Sequence, residues 1–275
     1  MTNDLLGTLR GESVGGCADT DAGREADALD RHGHTASDRH RRPAADELDR
    51  MRRLVAESLD QGAFGMSTGL THIPSGYGET DEVRELVRVV ASRDAMYATH
   101  ARATAGPGFA DVEEAISTCA DVGARMQFSH AAINEPTKWG RAGDVVALFE
   151  NAAAGGLNVW FDVYPYDASS SSLTQYLPPW TQAGGTDGMR RALADPANRE
   201  RAERDLADGW MGGIPWFWDR VVISRSGPGR EDIVGLSIEE AAARAGVEPA
   251  AFTLDLCLEH GNAVQVVLFY GPRPT

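Results

Sequence analysis

The chain has 275 residues, 42% apolar and 24% charged, the balance of an ordinary globular protein with room for one large domain or two small ones. Twenty-six basic residues stand against 41 acidic ones, and the net charge of −15 argues against a basic phosphate-binding face and so against a nucleic-acid partner. No run approaches the roughly 20 apolar residues of a membrane helix, and MTNDLLGTLRGESVGG lacks a basic, then apolar, leader, so no membrane partner and a cytoplasmic location are expected.

Residues 11–44 are rich in Asp, Arg, His, Gly and Ala and nearly devoid of large apolar side chains, a composition that predicts a poorly ordered segment. The pattern changes at Asp46. Leu48, Met51, Leu54, Val55 and Leu59 recur at helical spacing, and Gly62 follows as a stop. A short apolar run, AFGMSTGL (63–70), predicts a strand near 63–67. A helix from Thr80 carries Val83, Leu86, Val87 and Val90, and the strand MYATH (96–100) follows. A helix with Val112, Ala115, Ile116 and Cys119 stops at Gly123 and leads into the strand RMQFSH (125–130). A further helix carries Val145, Val146 and Phe149, and the strand NVWFDVYPY (158–166) closes the series.

Ser67, His100, His130 and Asp162 succeed one another at intervals of 33, 30 and 32 residues. Each interval fits one strand, one crossover helix and two short loops. Repeated units of this kind give a parallel sheet, either open and doubly wound or closed as a (β/α)8 barrel. No Gly-rich phosphate fingerprint follows the strands, which weakens a nucleotide-binding reading. Beyond Tyr166 the regularity stops. DASSSSLTQYLPPW (167–180) is Ser-rich, then Pro-rich, and reads as a loop. Residues 181–220 hold Trp210, Trp216, Trp218 and a charged helix near 187–207. Regular elements resume with RVVISRS (220–226), helices near 237–245 and 251–260, and AVQVVLF (263–269).

His100 and His130 each stand at the carboxyl end of a predicted parallel strand, where barrel enzymes build their sites. Two imidazoles one βα unit apart suit a shared zinc ion, which would acidify a bound water and polarise an amide carbonyl. Two unrelated, hydrogen-bonded histidines are the alternative. His32-Gly33-His34 copies a His-x-His spelling but does not end an apolar strand, and a solvated segment is expected there. His40, His72 and His260 have no partner at an informative spacing. Cys17, Cys119 and Cys257 form neither a zinc motif nor a disulfide framework. A catalytic serine is not expected, since no G-x-S-x-G elbow is present.

GAFGMSTGL, YATHAR, QFSH, DVYPYDASSSSL and LPPW, in this order and spacing, resemble the N-acyl-D-amino-acid deacylases (D-aminoacylases) of the amidohydrolase superfamily. The similarity runs over residues 46–269, with weaker matches at IVGLSIEEAA, LCLEHGN, DELDRM and GTLR. The resemblance implies a distorted (β/α)8 TIM-type barrel with a small β-domain, zinc as cofactor, and hydrolysis of the acyl amide of a small-molecule N-acyl-D-amino acid. It makes His100 and His130 the metal ligands after the fifth and sixth strands. It places Tyr164 and Ser170 at positions that bind substrate and the developing oxyanion. It gives Arg102 a substrate or structural role.

Departures from the family pattern accompany the match. A lysine expected two residues after the sixth-strand histidine is Ala132 here. The family's first-strand His-x-His pair and early cysteine ligand would precede residue 1, and its general-base aspartate would follow residue 269. The expectation is a chain truncated at both ends, with no general base of its own and inactive alone. It would comprise a disordered 1–44, a partial barrel of about strands four to seven over 45–166, a lid-like insertion over 167–219, and the C-terminal part of the catalytic domain over 220–275. A non-catalytic relative acting as a binding protein, or another amidohydrolase of dihydroorotase or dipeptidase type, are the competing readings.

Overall fold

The computed structural model describes residues 42–269. Met1–Thr104, Gly108–Ala132 and Gly140–Tyr164 cluster into one unit; Ala105–Pro107, Ile133–Trp139 and Pro165–Thr275 form another. The predicted segment 1–44, apart from its last three residues, lies outside the described residues, as do Cys17, His32, His34 and His40.

In the first unit, α1 (Ala45–Asp60) buries Met51 and Val55, one helical turn apart. Glu47 accepts the Ala44 N–H at 2.6 Å, and Asp46 and Glu47 place negative charge on the first turn. Strand β1 (Gly65–Gly69) follows, two residues later than the sequence suggests. Helix α2 (Thr80–Ala91) buries Val83, Leu86, Val87 and Val90 as a single apolar stripe. Strand β2 (Met96–His100), α3 (Ala110–Ala120), β3 (Arg125–Phe128), α4 (Ala142–Ala154) and β4 (Val159–Phe161) complete the alternation. Gly123, at φ 69°, adopts the left-handed turn that ends α3 and admits β3.

The sheet is parallel throughout, in the order β1-β2-β3-β4. This is the arrangement the 30-residue period predicts. Register pairs Gly69 with His100 and Phe128 with both Thr99 and Phe161, so the carboxyl ends lie side by side. Tyr97, Met126 and Phe128 are buried, and the Thr68 hydroxyl links the Tyr97 hydroxyl (2.7 Å) and the Thr99 hydroxyl (3.0 Å) beneath those ends. Two strands are shorter than expected. β3 stops at Phe128 and not at His130, because the chain turns to meet Asp162. β4 stops at Phe161, well before Tyr166; Pro165, without an N–H, could not extend the ladder.

The second unit contains an antiparallel sheet in the order β5-β7-β6, from β5 (Ala168–Ser172), β6 (Val221–Arg225) and β7 (Gln265–Phe269). The serine run is therefore a strand and not a loop: β7 supplies ladder partners for its whole length, whatever its weak intrinsic preference. The expected single helix near 187–207 is two, α5 (Gly185–Ala194) and α6 (Pro196–Ala207). Pro196 explains the break, since it holds Asp195 in extended backbone (ψ 124°), where the Asp195 carboxylate caps the Asn198 N–H at 2.9 Å. Helices α7 (Ile238–Ala245) and α8 (Pro249–His260) follow β6. Ser237 and Glu240 form a capping box on α7, and Leu254, Leu256 and Cys257 of α8 are fully buried. Among the described residues no helix is long and apolar enough to cross a membrane.

Candidate metal centre

The last residue of β2 is His100, and the β1 chain runs past it. Leu70 donates its N–H to the His100 carbonyl (2.8 Å), and a tight turn closes with His72 N–H on the Gly69 carbonyl (3.1 Å). That turn brings Thr71 and His72 to the end of β2. The Thr71 hydroxyl lies 2.6 Å from His100 Nε2 and 3.2 Å from His72 Nδ1. The rings of His72 and His100 meet edge-on at 5.0 Å. Gly69 makes room for this approach, since a methyl group there would stand 3.3 Å from His72 Nδ1.

His130 sits two residues past β3 with φ 39°, a conformation uncommon for a residue bearing a side chain. Asp162 holds it. One carboxylate oxygen accepts the His130 N–H at 2.6 Å, and the other accepts from Gln127 Nε2 at 2.8 Å. The Asp162 N–H donates to the Phe128 carbonyl, and the Ala131 N–H donates to the Asp162 carbonyl. A short charge-assisted bond of this kind is stronger than a neutral one and compensates a turn that costs on the order of 1–3 kcal/mol.

The two turns bring His100 Nδ1 within 3.0 Å of His130 Nε2, the rings crossing at 71° with centroids 4.6 Å apart. Tyr164 tilts beside His130 at 6.3 Å. Burial, then the neighbouring His72 and His130, push the His100 imidazole down to about 3, so it is neutral near pH 7, the form that ligates metals. Zinc–nitrogen bonds of about 2.0–2.1 Å hold two ring nitrogens roughly 3–3.5 Å apart, so the pair has the spacing and the chemistry of two ligands to one ion. Among the described residues no group of three or more His, Cys, Asp or Glu side chains is arranged to hold one.

Arg102 is engaged in the same unit. Its Nε meets both Glu114 oxygens at 3.0 and 3.1 Å, one terminal nitrogen donates to the Gly76 carbonyl at 2.8 Å, and the other donates to the Gly78 carbonyl. Thr80 also donates to Glu114 at 2.7 Å. These contacts tie down the loop that follows His72. Ser170 lies in the second unit, in β5, paired with Val267 of β7. His260 ends α8 there. Thr71, His72 and Asp162 are the neighbours that sequence reasoning left without a role. Their signal was position: each follows the carboxyl end of a parallel strand, as His100 and His130 do.

No family model matches the chain. It is 36% identical over 131 residues to the N-acyl-D-glutamate deacylase of Alcaligenes xylosoxydans xylosoxydans, a match over 48% of this chain and 27% of that protein. It is 31% identical over 138 residues to the D-aminoacylase of the same organism, over 50% of this chain and 28% of that one. The chain is a relative of the N-acyl-D-amino-acid deacylases. It spans about a quarter of the length of these deacylase relatives. The fold agrees: N-acyl-D-glutamate deacylase from Bordetella bronchiseptica, solved with zinc and a phosphonate mimic of the tetrahedral intermediate, superposes with a TM-score of 0.63 at 25% identity, over 88% of this chain and 42% of that one.

Proposed function

We propose that this chain carries part of the active site of a zinc-dependent hydrolase that cleaves the acyl amide bond of N-acyl-D-amino acids. The observation that carries the reading is the 3.0 Å approach of His100 Nδ1 to His130 Nε2 at adjacent carboxyl ends of a parallel sheet, in a chain related to deacylases. His100 and His130 are the proposed metal ligands. A zinc ion held there would supply an acidified water and a polarised amide carbonyl. Tyr164, tilted beside His130, and Ser170 are proposed to face the acyl carbonyl and its developing oxyanion as hydrogen-bond donors. Arg102 is proposed to act by ordering the loop after His72, since Glu114 and two carbonyls engage its three nitrogens. On the same reading the four parallel strands are part of a (β/α)8 barrel and residues 167–219 are a lid-like insertion.

Hydrogen bonding alone is the competing account of the histidine pair, and the absence of a third converging ligand among the described residues favours it. One assay separates the two. Release of free D-amino acid from N-acetyl-D-glutamate and N-acetyl-D-methionine is measured with and without zinc, with the L-enantiomers as controls. Two imidazoles hold zinc weakly, because catalytic zinc normally takes three protein ligands, so turnover by this chain alone is expected below detection. Zinc-dependent release that persists in His100→Ala and His130→Ala would overturn the assignment. A preference for L-substrates would overturn the substrate class.

A further inference from the structure

Thr71 and His72 belong to no motif of the sequence analysis, yet they close a chain of three imidazoles. The Thr71 hydroxyl is buried and stands between His72 Nδ1 and His100 Nε2, while the other nitrogen of His100 faces His130. A hydroxyl has one proton. If it donates to His72, it accepts from His100, whose proton is then on Nε2. If it donates to His100, then His72 must donate to it, and the proton of His100 is on Nδ1. The first arrangement leaves a lone pair on His100 Nδ1, pointing at His130. The second puts a hydrogen there and blocks any cation. A neutral imidazole has a single N–H, so the choice made at Thr71 decides what the other nitrogen can do.

We propose that Thr71 is a positioning residue that, with His72 accepting its proton, holds His100 as the Nε2–H tautomer and so keeps the Nδ1 lone pair available for a metal ion. This rests on the reading of His100 and His130 as metal ligands. Local backbone supports it. The turn from Gly69 to His72 is closed by its own hydrogen bond, the His72 carbonyl accepts the Gly76 N–H at 2.7 Å, and Gly69 leaves the room that His72 occupies. The partner of a metal-bound histidine fixes its tautomer and ring orientation, and removing such a partner typically costs 10- to 100-fold in metal affinity.

The test uses the full 275-residue chain labelled with 15N-histidine, with zinc chloride as the probe. Long-range 1H–15N spectra of the metal-free protein report the tautomer of each neutral imidazole, and His100→Ala assigns its resonances. His100 is expected as Nε2–H in the wild type, before any metal is added. Thr71→Val is expected to lose this preference and to weaken zinc binding about 10- to 100-fold in a competition titration. Thr71→Ser restores the hydroxyl and is expected to restore both. A wild-type spectrum showing His100 as Nδ1–H overturns the proposal, with no variant needed. So does Thr71→Val with unchanged zinc affinity while His100→Ala has lost it. Zinc affinity unchanged in His100→Ala has a different meaning: it removes the metal-ligand reading itself, and the proposal with it.

Discussion

At the scale of single residues, Asp162 is the clearest instance of a side chain acting through the backbone of another. It has no direct contact with the His100 ring, but it accepts the His130 N–H and anchors the left-handed turn that aims His130. Asp162→Ala removes this acceptor and the Gln127 contact together and is expected to cost about 1–3 kcal/mol of stability in urea melts. Asp162→Asn keeps one acceptor oxygen and is expected to cost less. If Asp162→Ala leaves both the melt and the zinc affinity unchanged, the carboxylate does not hold the turn. His100 was legible in the sequence because its strand is regular up to the last residue. The orientation of His130 was not, because a φ of 39° follows from a hydrogen bond 32 positions away. His72 was equally hidden: spacing tests compare strand ends, and His72 comes three residues after one, around a turn.

At the scale of elements, helices were read more accurately than strands. The stripes of α2 and α3 are local, and Val83, Leu86, Val87 and Val90 announce the buried face on their own. Strand ends depend on what the following loop meets, so the ends of β1, β3 and β4 shifted. The serine strand β5 was read as a loop because its stability comes from β7, nearly a hundred residues on. Two measurements address the elements. Leu86 is fully buried, and Leu86→Ala is expected to lower stability by about 2–5 kcal/mol, read as a lower urea midpoint. The thiols of Cys119 on α3 and Cys257 on α8 are buried and free, and burial pushes Cys119 up to about 12 and Cys257 higher still. Both are expected to be silent to a thiol reagent at pH 8 until the chain unfolds. Their folded values lie above the unfolded ones, so their contribution to stability is complete below about pH 8.5 and is lost as pH rises toward 12. A lower thermal midpoint at pH 10 than at pH 7, reduced in Cys119→Ala, would show this; rapid labelling at pH 8 in the native state would contradict it.

At the scale of the whole molecule, the four-strand parallel sheet leaves β1 and β4 as its outer strands. Trp160, Val163 and Tyr166 at and beyond β4 are two-thirds exposed or more, and Phe64 before β1 is almost fully so. Unpaired edges beside exposed apolar side chains invite association. The isolated chain is expected to be oligomeric or poorly soluble, and light scattering that finds a single monomer species would contradict that. The α/β order, the parallel direction and the deacylase kinship were all legible in the sequence, since they rest on period and motif. The division into a parallel and an antiparallel unit was not, because nothing local to residues 168–172 or 221–225 states the direction of a partner strand.

The most direct test of the account is anomalous diffraction at the zinc edge from crystals grown with zinc. The account predicts a peak within about 2.0–2.1 Å of both His100 Nδ1 and His130 Nε2. Absence of a peak there, with the two nitrogens still 3.0 Å apart and hydrogen-bonded, would contradict it.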